Sequence, residues 1–279
     1  MTGSRIRRST FTLAVALAAW GCTSDFSAPS GGGVDGSPGM DGSPAPDGEP
    51  LPSACLDALA AAAFDFESGP AGWTHDVMPE IAGTTVDWRF DDWEQGAAST
   101  VGPAACHGGT GCWATRLDNN YIACQRAYLM SPPLDLAACS GEDLALSFQH
   151  FHDFWTDEWE EQTWFDGGIV ELSPDGIDWA APPGVETAGT IAINPSKGLN
   201  ECIETDAFYL DGRPGFVGES GGWVPALVAI PPELVAGDLY VRFAYSSGVS
   251  LQSSTQNASN FSDAGWYIDD LAIVAAGGR

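Results

Sequence analysis

Basic residues are scarce: ten Lys and Arg stand against 38 Asp and Glu in 279 positions, a formal charge of −28 with an isoelectric point near 4.1. Nucleic-acid binding depends on Lys and Arg neutralising phosphates, so that class is excluded. Adsorption to an anionic lipid surface is disfavoured for the same reason. Histidine is limited to His75, His107, His150 and His152. No His-Glu-x-x-His pair occurs, which removes the helix-borne zinc site of a metallopeptidase. Ser-His-Asp hydrolysis is not expected either, since no Gly-x-Ser-x-Gly nucleophile elbow is read. Helical periodicity is confined to Leu56–Ala63, a short Ala-rich stretch of one or two turns.

Apolar residues make up 44% of the chain and include eleven Trp, enough for a substantial core. The acidity keeps an exported protein soluble, and divalent cations are its natural counter-charge.

The N-terminus is an address. Arg5, Arg7 and Arg8 precede an apolar run from Phe11 to Trp20, the n- and h-regions of a secretory signal and too short to span a membrane. Residues 18–22, Ala-Ala-Trp-Gly-Cys, resemble a bacterial lipobox, with Cys22 as the lipidated first residue of the mature protein. Trp20 is bulky for that pattern and Leu17 lies two places early, so an ordinary cleaved signal is the alternative. Removing residues 1–21 takes away three Arg and no acid, leaving a net charge of −31. Residues 22–54 hold Cys22 and a Gly/Ser/Pro/Asp linker in which Asp-Gly-Ser-Pro recurs at 35–38 and 41–44. Such a composition buries too little apolar surface to offset backbone ordering, and is expected to be a disordered tether.

There are seven cysteines, at 22, 55, 106, 112, 124, 139 and 202. Assigning Cys22 to a lipid leaves an even six, consistent with three disulfides. Cys106 and Cys112 bracket His-Gly-Gly-Thr-Gly, a loop flexible enough to close on itself; Cys124 with Cys139 and Cys55 with Cys202 follow by elimination. The C-x5-C spacing is looser than a zinc knuckle.

From Phe64 onward, short apolar stretches alternate with Gly, Pro, Asn and Asp turns. Leu144–His152 puts Leu144, Leu146, Phe148, His150 and His152 on one strand face. Gly168–Ser173, Leu239–Tyr245 and Trp266–Val274 are further strands. Ser173-Pro-Asp-Gly176 is a tight turn, and Asp118-Asn-Asn-Tyr121 reads as a hairpin turn. The expected fold is an all-β antiparallel jelly-roll sandwich over residues 55–279.

Four segments carry a resemblance. Phe64–Trp73, Leu129–Leu136, Phe148–His152 with Phe165–Gly176 and Trp179, and Gly265–Ile273 together resemble, in order, the concanavalin-A-like jelly rolls of the MAM type. The chain is also similar to the C-terminal accessory domain of immune-inhibitor-A-type M6 metallopeptidases. That resemblance implies a display scaffold, with the peptidase itself absent.

The candidate site residues follow. The resemblance implies a structural calcium where first and last strands meet, with Glu67 and Asp269 as carboxylates and Asp65 and Asp270 as alternates. The competing reading is that Asp269 accepts backbone hydrogen bonds or faces Arg242. His150 and His152 share a face and could grip a metal with Asp153, Asp157, Glu158, Glu160 and Glu161, or pack as the resemblance implies. Trp155, Trp159 and Trp164 could form a carbohydrate platform or be buried. The functional expectation is a non-catalytic outer-membrane or cell-surface lipoprotein. Its partners would be the membrane, through the lipid, and a protein or carbohydrate ligand used in adhesion. A polysaccharide-acting enzyme with paired carboxylates, or a purely structural accessory module, is the alternative.

Overall fold

The computed structural model describes residues 50–78, 91–99, 101–122, 126–156, 164, 166–183, 185, 189–190, 210, 212–247 and 263–276. All belong to one compact unit, Gly48–Arg279. Cys22, Cys124, Trp159 and Cys202 lie outside the described residues, as do Asp157, Glu158, Glu160 and Glu161.

In chain order the elements are α1 (Ser53–Ala61), β1 (Ala63–Phe64), β2 (Thr74–Val77), β3 (Trp93–Gly96), β4 (Cys112–Thr115), β5 (Arg126–Met130) and β6 (Leu134–Asp135). They continue with β7 (Leu144–Asp153), β8 (Gly167–Ser173), β9 (Gly189–Thr190), β10 (Pro214–Gly215), β11 (Val224–Ala229), β12 (Asp238–Ser246) and β13 (Gly265–Ala275). One sheet runs β3-β4-β13-β7-β11, with β1 also paired to β13. The second runs β2-β5-β12-β8, with β6 continuing β5 along β12. Every ladder is antiparallel, and β9–β10 form a separate ribbon.

The two sheets face each other as an antiparallel β-sandwich of the expected jelly-roll class. The period-2 pattern of β7 buries Leu144, Leu146, Phe148, His150 and His152, while β12 turns Leu239, Val241, Phe243 and Tyr245 inward. Across the layers Phe148 meets Phe243 edge-on at 5.0 Å between centroids, and Phe243 meets Trp266 at 5.5 Å. Rings buried this completely dominate stability; truncating one to Ala costs about 3–5 kcal/mol.

β13 contains a bulge. Between Asp269 and Ala272 it spends one residue more than its partner β7, and Asp270 takes φ 45°. The extra residue resets the alternation, so Trp266 and Ile268 point inward before it and Leu271 and Ile273 after it. Two successive carboxylates can therefore sit in a strand whose other residues fill the core.

Two expectations are corrected. Asp118–Tyr121 is not a hairpin turn: β4 and β5 lie in opposite sheets, so the chain crosses from one layer to the other there. Cys55, buried on α1, is bonded to Cys139, which overturns both Cys55–Cys202 and Cys124–Cys139. That bond ties α1 to the turn before β7, a pairing across 84 residues that spacing alone does not disclose. Cys106 and Cys112 are bonded, closing the short glycine loop.

Candidate functional site

Glu67 follows β1, and Asp269 and Asp270 form the bulge of β13. The Cys106–Cys112 loop lies over all three. Thr110 N–H donates to both Glu67 carboxylate oxygens at 2.9 Å, Gly111 N–H donates to Oε1 at 2.9 Å, and the Thr110 hydroxyl reaches Oε2 at 3.2 Å. These donors, Gly111 first, hold the Glu67 carboxyl below its ordinary range. Gly108 N–H donates to Asp269 Oδ2 at 3.0 Å, and Asp270 N–H to its Oδ1 at 2.8 Å. Asp269 is fully buried, and desolvation lifts its pKa to about 6 despite those donors. His107 Nδ1 lies 2.6 Å from Asp270 Oδ2. Asp65 is turned elsewhere, accepting the Glu67 N–H at 3.2 Å.

The calcium expectation meets this geometry directly. Both oxygens of Glu67 are engaged by peptide and hydroxyl donors, and both oxygens of Asp269 by peptide donors. Among the described residues no group of three or more His, Cys, Asp or Glu is arranged to hold a metal ion. As placed, the peptide groups of the loop occupy the side of these carboxylates that a cation would take. Arg242 does not face Asp269 either. On the other sheet it donates through Nε and Nη2 to Glu171 Oε2, at 2.9 and 2.5 Å, and stacks on Trp179 at 4.1 Å. Arg213 completes that buried ion cluster, 2.9 Å from Glu171 Oε1.

His150 and His152 do share a face, as their spacing requires, and point into the core side of β7. Their rings stack at 5.2 Å, and both lie against Phe216. Burial, and then the neighbouring imidazole, pushes His150 down to about 3. Burial pushes His152 down to about 4, a hydrogen bond to the Val217 backbone offsetting part of it. His150 Nδ1 accepts from the Trp266 indole N–H at 3.3 Å. His152 Nδ1 is buried with no partner in the protein. Both imidazoles are thus neutral at physiological pH, and both line an open groove of about 830 Å³ that runs along β11. Phe216, Val224, Ala226 and Val228 give it an apolar wall, with Glu219 and Ser220 as its polar members.

Sequence reasoning missed this groove, although one signal was present. Gly218-Glu-Ser-Gly-Gly222 spells Gly-x-Ser-x-Gly. It occupies the connection from β10 to β11, with no helix after it, so it is not a nucleophile elbow. Ser220 Oγ accepts the His152 backbone N–H at 3.0 Å and lies 2.8 Å from the Gly222 carbonyl. The hydroxyl therefore ties the connection to β7, and His152 Nδ1 is not bonded to it.

Of the three Trp, two lie within the described residues, and each is packed rather than displayed. Trp155 is partly buried against the main core, and Trp164 against a satellite cluster of Met78, Ile169, Leu210, Val217 and Ala244 on the second sheet. A second missed feature is a pair of buried Tyr–Asp contacts. Tyr121 donates to Asp166, and Tyr245 donates to Asp92 at 2.6 Å. Desolvation lifts Asp92 to about 6.

No family model matches the chain, and no curated protein matches it. Among solved structures it is similar to the K3 cleaved adhesin domain of Lys-gingipain from Porphyromonas gingivalis w83, at 19% identity and TM-score 0.35, over 76% of this chain and 97% of that one. It is also similar to the CBM22-2 xylan-binding domain of Paenibacillus barcinonensis Xyn10C, at 12% identity and TM-score 0.34, over 77% and 99%.

Proposed function

We propose that the chain is a non-catalytic cell-surface lipoprotein whose β-sandwich binds a protein or glycan ligand, serving adhesion. The observation that carries this reading is the open groove along β11, where His150 and His152 lie beside an apolar wall of Phe216, Val224, Ala226 and Val228. The residues of that wall supply apolar contact area. The depressed pKa values of the same imidazoles support a non-catalytic role, because bases this weak take up almost no proton at neutral pH. The signal-like N-terminus, Cys22 and the linker supply the anchor to the membrane, and the outer membrane is the proposed location.

The test is a glycan and protein-array screen of the soluble Cys22→Ser protein, followed by titration of any hit against His152→Gln. Binding that falls at least tenfold in the variant, at unchanged fold and Tm, supports the groove as the site. Binding unaffected by the substitution removes it. Mass analysis of the wild-type N-terminus then decides lipidation at Cys22.

One observation favours a second reading, a polysaccharide-acting enzyme. Glu219 lies close enough to Asp153 and Asp263 to raise both carboxyls, after burial, by like-charge repulsion. A glycosidic general acid requires a carboxyl raised in this way, and Glu219, the neighbour of both, lines the groove. Release of reducing ends from a polysaccharide by the wild type but not by Glu219→Gln would establish that activity.

A further inference from the structure

We infer that the Cys106–Cys112 loop does the work of a bound cation: its peptide N–H groups, held in place by the disulfide, neutralise Glu67 and Asp269 and clasp the first strand of the sandwich to the last. Three observations converge. The donors to Glu67 and Asp269 from across the sequence come from one short loop, at Gly108, Thr110 and Gly111. Successive backbone amides turned toward one side make an anion-binding concavity of the kind that cradles phosphate, here filled by the protein's own carboxylates.

The loop also approaches too closely for side chains. A Cβ on Gly109 would stand 2.3 Å from the Glu67 carboxyl carbon, one on Gly111 2.4 Å from the Phe66 carbonyl oxygen, and one on Gly108 2.9 Å from an Asp270 carboxylate oxygen. Gly109 also takes φ +55°. The His-Gly-Gly-Thr-Gly composition is therefore what lets peptide groups come as near to carboxylates as an ion would. Finally, the disulfide roots both ends of the loop, with Cys112 at the start of β4, which pairs with β13 beside the bulge. Glu67 is joined to β13 through β1, at Phe64 opposite Leu271. Loop, first strand and last strand form one closed circuit.

The experiment is thermal unfolding of the purified oxidised protein with calcium chloride or chelator, repeated for Glu67→Gln, Cys106→Ser/Cys112→Ser and the combined variant. The wild-type Tm is expected to be the same with calcium and with chelator. Glu67→Gln and the double Ser variant are each expected to lower Tm by roughly 3 °C or more. The combined variant should fall by clearly less than the sum, because the carboxylate and the ordered loop act on each other. A Tm that rises with calcium in the wild type but not in Glu67→Gln overturns the inference, as does strict additivity. If the double Ser variant does not fold, Gly109→Ala replaces it in the cycle, and the same two outcomes decide.

Discussion

At the scale of single residues, buried imidazoles and buried carboxyls set the pH response in opposite senses. His150 and His152 titrate at about 3 and 4 in the folded chain against an ordinary 6.5. Below pH 6.5 the unfolded chain gains protons that the folded one refuses, so this stabilisation is complete above that pH and drains away on acidification. Asp92 does the reverse. Its folded value of about 6 lies above its ordinary 3.8, so the folded chain protonates first and regains stability as pH falls from 7 toward 4. His152→Gln is therefore expected to blunt the loss of stability between pH 7 and pH 5, and Asp92→Asn to steepen it. Urea midpoints at those two pH values measure each slope against the wild type, and changes of the same sign in the two variants would contradict the assignment. Gly168 offers a packing test. A Cβ there would lie 2.3 Å from the buried Trp266 ring, so Gly168→Ala should cost about 1–3 kcal/mol, read as a lower urea midpoint at unchanged m-value.

At the scale of elements, what the sequence discloses depends on whether the signal is local. The alternation of Leu144–His152 gives β7, its inward face and the pairing of its two His, because period-2 burial is written residue by residue. The Ser173–Gly176 turn is legible for the same reason: Gly176 takes φ +71°, and Ser173 Oγ accepts the Gly176 N–H at 2.9 Å. β13 is legible as a strand, but its bulge is not, since Asp269-Asp270 interrupts the alternation without saying that the register is reset. Deleting Asp270 removes the extra residue and leaves Leu271 opposite Phe148, still facing the core, so unfolding is expected to stay cooperative; a non-cooperative urea transition in that variant would contradict the bulge assignment. Glu67 and Asp269 do come under one loop, and Asp269 accepts backbone hydrogen bonds as one of its two readings has it, yet which amides donate is not legible, because a peptide N–H belongs to every residue and leaves no mark in composition. Cys55–Cys139 was hidden by distance along the chain. Replacing both cysteines by Ser is expected to cost about 3–5 kcal/mol, seen as a Tm drop under oxidising conditions.

At the scale of the whole molecule, charge and layer architecture pull against each other. A chain carrying −28 repels itself, and its cross-sheet aromatic core must overcome that repulsion. Raising sodium chloride at neutral pH is expected to raise Tm by screening exposed carboxylates, while leaving buried Asp92 and Asp269 little affected. A Tm that falls with salt would place the dominant electrostatics in favourable ion pairs instead. The Glu171–Arg242–Arg213 cluster is the place to look for those. The groove was the least legible feature at this scale, because its wall is assembled from β7, the β10–β11 connection and β11, which approach one another only through the sandwich topology.

The Cys55–Cys139 bond has a mechanical meaning. For a domain held at its N-terminal side and pulled at its binding surface, tension enters through α1 and would next peel β1, only two residues long, off the edge of β13. Cys55 comes before β1 in that path. The covalent link passes the load to Cys139 and on toward β7, a ten-residue strand paired on both sides. That two-residue strand is thereby bypassed, and the force is carried in shear by the β7–β13 ladder.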